Sequence, residues 1–258
     1  MAAEIINQSI LFVVTFIANL FASVSGGGAG FIQFPLLILL GLPFATALGT
    51  HKVAVVFLGI GAISKKGINK SISFDKAVCA LMILVGCPAV VLGSVIIISV
   101  PSDIAQIVLG FITIASGIYT FFKKEFGTTN LENRSLKRTI LGAIALFCIG
   151  MFSGSLSSGA GLFATLSLVG IFGLELKRAI MHTMIFVATI WNAVGAFTVG
   201  ALTSIQWNWL PVMIVAAFSG AFLGTTLLIK MPVKKVKIVF SCVSILSGVI
   251  LILEGMYK

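Results

Sequence analysis

From Ser23 to Lys52 the chain reads SVSGGGAGFIQFPLLILLGLPFATALGTHK, with a glycine cluster, two prolines, a histidine and a lysine set into otherwise unbroken apolar sequence. Nothing in water would require that combination. In a bilayer, glycine and proline loosen the backbone, and loosened backbone is tolerated at membrane depth only inside protein or beside a wet cavity. An ionisable side chain in the same interval is costly there and reads as functional by default, the alternative being a side chain that snorkels to the interface.

The rest of the chain decides the solvent. Apolar residues make up 59% of it and charged residues 9%, against about 45–50% and 25% in soluble domains, so this is an integral membrane protein. At about 20 apolar residues per crossing there is room for roughly seven or eight helices and no soluble domain. The apolar segments are long and lack the alternation of an outer-membrane barrel, which predicts an all-α membrane protein. A net charge of +10 would suggest nucleic acid in a soluble protein, but here the basic residues fall between spans and report orientation; the partner is the lipid bilayer, not nucleic acid. Cys79, Cys87, Cys148 and Cys242 lie in apolar runs without a CxxC pair and read as small core residues. The opening MAAEIINQ lacks the basic region of a signal peptide, so the apolar run from Ile5 is expected to stay as a membrane segment.

Taken in order, a first helix is expected over 5–24, then a short piece over 31–40 that at about 1.5 Å per residue cannot cross a core of about 30 Å. Residues 5–40 therefore read as a helix folded back onto a half-helix. Spans follow near 45–64, 74–98 and 104–122, with a turn at Pro101. The second half repeats this pattern: Ala29 and Gly30 align with Ala160 and Gly161, Gly41 and Leu42 with Gly173 and Leu174, and the pair Thr50, His51 with His182, Thr183, and its spans fall near 179–200, 210–228 and 238–253. The expected division is a first transmembrane repeat over 1–122, a basic cytoplasmic linker over 123–138 and a second repeat over 139–258.

Charge sets the topology. Fifteen of the 17 Lys and Arg lie in four clusters, 65–76, 123–138, 177–178 and 230–237, with Lys52 and Lys258 apart. All four fall in the cytoplasm if each glycine-broken element starts and ends on one side. The N-terminus is then outside while the second repeat starts inside. The fold expected is two inverted-topology repeats, each a glycine-broken fold-back helix followed by three transmembrane helices, as in many secondary transporters.

A half-helix starting at Gly28 to Gly30, and another at Gly159 to Gly161, would turn N–H groups and a positive dipole end toward a crevice and favour an anion; close helix packing is the plainer use of such glycines. Lys52 is the one basic residue expected inside a span and offers a counter-charge, unless it snorkels. His51 and His182 offer hydrogen bonds or a coupling proton, or simply pack in the core. Thr50 and Thr183 beside them, and Gln33, Asn19, Trp191 and Asn192 near the breaks, complete the candidate substrate-binding set. No catalytic or metal residues and no cofactor are expected. Gly150, Met151, Phe152, Ser153, Gly154 is one residue too long for a GxSG serine motif, GGGAGF lacks the Lys and Ser/Thr of a P-loop, and the seven carboxylates are too few for an acid-base pair or a metal cage.

The twice-occurring pattern, SGGGAGFIQFPLLILLGLPFATALGT and SSGAGLFATLSLVGIFGLELKRAIMHT, resembles the TauE/SafE family, the sulfite and organosulfonate exporter group. The first copy, GGAGFIQFP, is close to the family's G-G-G-x-x-x-x-P; in the second, Leu166 replaces the proline and Met181, His182 stand where Gly-Thr is usual. The resemblance implies a multi-pass inner-membrane carrier that exports sulfite or an organosulfonate by alternating access. An anion channel with the same breaks lining a pore, and an uptake carrier for a sulfonate or carboxylate, are the alternatives. Glycine-rich helix faces leave a homodimer open.

Overall fold

The computed structural model describes residues 2–64, 73–96, 102–122, 127–128, 135–157 and 159–256. Lys65, Lys66, Lys70, Pro101, Lys123, Lys124 and Arg134, and with them most of the linker expected at 123–138, lie outside the described residues. Among the described residues every regular element is helical: α1 (Ala2–Ser25), α2 (Ala29–Leu39), α3 (Phe44–Ile63), α4 (Lys76–Ile96), α5 (Ser102–Phe122), α6 (Leu136–Ser155), α7 (Ala160–Gly170), α8 (Leu176–Leu202), α9 (Trp207–Lys230) and α10 (Val233–Met256). Six of them, α1, α3, α4, α6, α8 and α9, are long and apolar enough to cross a membrane. By contrast α2 and α7 have 11 residues each, a rise of about 16 Å, half a crossing.

Local chemistry explains the boundaries. Asp75 starts α4 by accepting the N–H groups of Ala77 and Val78, at 3.0 and 3.2 Å, and Ser135 starts α6 by accepting that of Arg138 at 3.4 Å. Left-handed glycines open α2 and α7 and close their far turns, at Gly28 and Gly41 (φ 104° and 95°) and at Gly159 and Gly173 (φ 84° and 73°). The charged pair Lys177 and Arg178 lies inside α8 instead of ahead of the span expected from 179. Helix continues through it because both side chains find carbonyls: Lys177 Nζ donates to Ile229 O at 3.2 Å and Arg178 Nε to Ser73 O at 2.6 Å.

The halves recur element by element. From α2 onward the starts of α2 to α5 reappear 131 or 132 residues later as those of α7 to α10, Ala29 at Ala160, Phe44 at Leu176 and Ser102 at Val233. The packing interleaves the halves, α1 lying along α9, α6 along α4, α3 against α8 and α5 against α10. Glycines permit each approach. Gly220 and Gly224 of α9 meet the backbone at Phe16 and Leu20 of α1, and Gly150 and Gly154 of α6 meet Gly86 and Val90 of α4, so these pairs run parallel. Gly49 and Gly59 of α3 meet Val199 and Met184 of α8, and Gly110 and Gly117 of α5 meet Ile252 and Ser241 of α10, so these run antiparallel. At these four seams the glycine faces are occupied by helices of the same chain.

Burial follows the bilayer. The spanning window of α3 is 72% buried and that of α6 only 22%, which makes α3 the centre and α6 a lipid-facing edge. The outer faces of α1, α4 and α6 expose Ile5, Leu84, Leu136 and Ile144, as hydrocarbon contact requires.

Candidate functional site

The breaks ahead of α2 and α7 touch. A Cβ on Gly27 would stand 2.7 Å from the Gly161 Cα, and one on Gly161 would collide with the Gly26 carbonyl oxygen. Thr165 Oγ1 donates to that same carbonyl at 3.4 Å and lies 3.2 Å from Thr183 Oγ1. Neither half-helix has a side-chain cap, so neither first turn is answered by a side-chain acceptor of its own.

Between the breaks lies a cavity of about 30 Å³, walled by Gly26, Gly27, Gly28, Gly30, Ser157 and Gly161 of the breaks, by His51 and Val55 of α3, and by Thr183, Val187 and Asn192 of α8. Its wall draws on equivalent positions of the two halves, His51 and Thr183, and Val55 and Val187. His51 is buried, and its Nδ1 has no hydrogen-bond partner among the described residues. Asn192 is held by donating to Val187 O at 2.8 Å while its Oδ1 accepts from Ser157 Oγ at 3.2 Å. Among the described residues no carboxylate lines the cavity. Two positive helix ends, an imidazole and an amide, with no carboxylate among the described lining residues, have the chemistry that suits an anion.

Of the residues expected from sequence, Gly28, Gly30, His51, Gly161, Thr183 and Asn192 come together here. The others stand elsewhere. Gly159 opens α7 under the Phe31 ring. Lys52 is fully buried, turned toward α6, where its Nζ donates to the Ser153 carbonyl at 2.6 Å; Gly195 leaves it room. Ser153 lies in the last turn of α6, where carbonyls lack helical donors and the dipole is negative, so an ammonium is well placed. Thr50 and His182 sit beside cavity residues without lining the cavity. Asn19 Nδ2 donates to Gln33 Oε1 at 3.1 Å and to Thr15 O at 2.7 Å, joining α1 to α2. Ser157 and Thr165 were not anticipated; Ser157 matches Gly26 at the repeat offset, a signal that was available.

Trp191 is fully buried between two helices and does not line the cavity. Two stretches of wider π-helix, Met82–Gly86 in α4 and Met184–Trp191 in α8, meet where Trp191 Nε1 donates to Met82 O at 2.7 Å and the indole covers Gly86. Trp191→Phe is expected to cost about 1–2 kcal/mol by stranding that carbonyl and leaving a small void, read as a lower unfolding midpoint in detergent.

Among the described residues no group of three or more His, Cys, Asp or Glu could hold a metal. The sequence profile of the family described as sulfite exporter TauE/SafE matches residues 11–251. A probable membrane transporter protein of Haemophilus influenzae is 28% identical over 221 residues, covering 84% of this chain and 83% of its own. Probable membrane transporter protein ORF9 of a Sinorhizobium species is 27% identical over 245 residues, covering 95% and 92%. Probable membrane transporter protein YfcA of Escherichia coli K12 is 27% identical over 233 residues, covering 88% and 83%. These names denote transporters rather than enzymes. No solved structure matches the chain.

Proposed function

The chain belongs to the sulfite exporter TauE/SafE family, and from that premise we propose that this multi-pass membrane transporter is a secondary carrier exporting a small anion, sulfite or an organosulfonate, across the inner membrane. The observation that carries this reading is that the N-terminal ends of both half-helices border one cavity. The anion's oxygens take the N–H groups after Gly28 and Gly159, with His51 and Asn192 as side-chain donors, while Thr183, whose hydroxyl donates to Ile180 O at 2.7 Å, shapes the wall. Lys52, one residue from His51, supplies a fixed positive charge behind the wall. Gln33, joined to Asn19, and the Thr50 and His182 side chains brace the site. A cavity of about 30 Å³ exceeds the roughly 10–15 Å³ that one water needs, which favours a few-atom ligand in a carrier site over a continuous pore.

The carrier has inverted-topology halves, 1–122 and 139–258, joined by a cytoplasmic linker. The antiparallel packing of α3 on α8 and α5 on α10 supports this, as does the basic clustering that puts the N-terminus outside. A coupling proton travels on His51, whose Nδ1 takes it without giving up any bond to the described residues.

Counterflow in proteoliposomes tests both parts. Saturable exchange of sulfite, sulfoacetate or taurine is expected, and one pH unit across the membrane should change accumulation about tenfold per coupled proton. Unsaturable flux would indicate a channel, preference for inward loading an uptake carrier, and flux indifferent to the gradient an uncoupled one.

A further inference from the structure

Helices α3 and α8 carry a second matched feature that the cavity does not use. Thr50 Oγ1 donates to Thr46 O at 2.7 Å and accepts the Gln206 backbone N–H at 2.9 Å, and one turn back Thr46 Oγ1 meets Ser204 Oγ at 3.1 Å. In the other half His182 Nδ1 donates to Arg178 O at 2.7 Å, its Nε2 accepts the Asp75 backbone N–H at 3.0 Å, and one turn back Arg178 Nε donates to Ser73 O at 2.6 Å. These are the same four positions at the repeat offset, Thr46, Thr50, Ser204 and Gln206 answering to Arg178, His182, Ser73 and Asp75. The side chains differ, yet the contacts are conserved between the halves.

Each tie joins the N-terminal half of a cavity helix to the segment that enters a helix of the opposite half, α9 in one case and α4 in the other. Because α3 and α8 run antiparallel, the ties sit at opposite ends of the cavity. Thr50 and His182 each precede a wall residue, His51 and Thr183, so releasing a tie frees the wall beside it. Both are fully buried, so the backbone N–H each accepts is costly to leave without a partner.

We propose that these matched contacts are the two latches of the carrier, the Thr50–Gln206 tie closing one end of the cavity and the His182–Asp75 tie the other. Thr50 and His182 are then positioning residues that hold the ends without touching the anion. The proposal rests on the carrier reading above.

The test uses protein with Cys79, Cys87, Cys148 and Cys242 replaced by alanine and Ala188→Cys as a single thiol on the cavity wall, labelled by an impermeant maleimide from each face of oriented vesicles. Thr50→Val should raise the labelling rate about tenfold from the face bearing the α8–α9 loop, and His182→Phe from the face bearing the α3–α4 loop. Changes toward the same face, or none in folded protein, would overturn the latches. In a second variant, Thr46→Cys with Ser204→Cys, oxidation to a disulfide should stop sulfoacetate counterflow and reduction restore it; counterflow through the cross-linked protein would overturn the proposal. If the native protein moves no tested anion while the two single variants still shift labelling to opposite faces, the latches stand and the anion reading falls.

Discussion

Gly161→Val is expected to abolish anion flux and to reduce sharply the yield of folded protein. The two breaks meet backbone to backbone at this point, and a Cβ at Gly161 would fall on the Gly26 carbonyl and 2.9 Å from the Gly27 Cα. Backbone has no rotamer to escape into, so the half-helices must separate, which opens the wall and misaims both N-terminal ends. Gly27→Val should do the same and add strain, since its φ of 153° belongs to a region that side chains avoid at a cost of about 1–3 kcal/mol. Gly170→Ala serves as control. A Cβ there meets nothing within 4 Å, so it should leave flux unchanged and, at a helix end, stability within about 1 kcal/mol. Monodispersity in detergent and proteoliposome flux read both effects.

Lys52→Met is expected to lower flux at least about tenfold while leaving stability unchanged or raised by about 1 kcal/mol or more. The ammonium is fully buried and, among the described residues, its hydrogen-bond partner is one carbonyl, Ser153 O at 2.6 Å. A hydrogen bond to a charged group returns about 1.5–3 kcal/mol, against a desolvation cost of several kcal/mol for a buried ion. A charge kept at a net cost to folding is explained by what it does for the ligand. Flux and unfolding midpoint measured on the same preparation separate the cases: a lower midpoint with intact flux would make Lys52 a structural strut.

The breaks, the half-helices and the repeat were legible in the sequence because each is a local pattern: glycine where the backbone turns left-handed, an apolar run too short to cross, and the same spacing twice. Lys52's partner was not legible. It is a carbonyl exposed by the end of α6, and every residue carries a carbonyl. The different placement of the two histidines follows from a single step in register. Adjacent helix positions point about 100° apart, so His51 faces the cavity while His182, aligned with Thr50, faces the α4 entry. Trp191 owes its position to a pair of π-helical stretches, for which apolar periodicity has no sign. The sequence expectation treated all these polar residues as one set; the fold divides them into a wall, a buried charge and two ties.

The central claim is that a small anion sits between the two half-helix starts against His51. The measurement that tests it most directly is the unfolding midpoint of purified protein titrated with sulfite and with sulfoacetate, for the native chain and for His51→Ala. A ligand that binds only the folded state raises stability by about 2.7 kcal/mol at one hundred times its Kd. The account predicts a concentration-dependent rise for the native chain and a much smaller one for His51→Ala at equal concentrations. An equal rise in both, or none in the native chain, would contradict it.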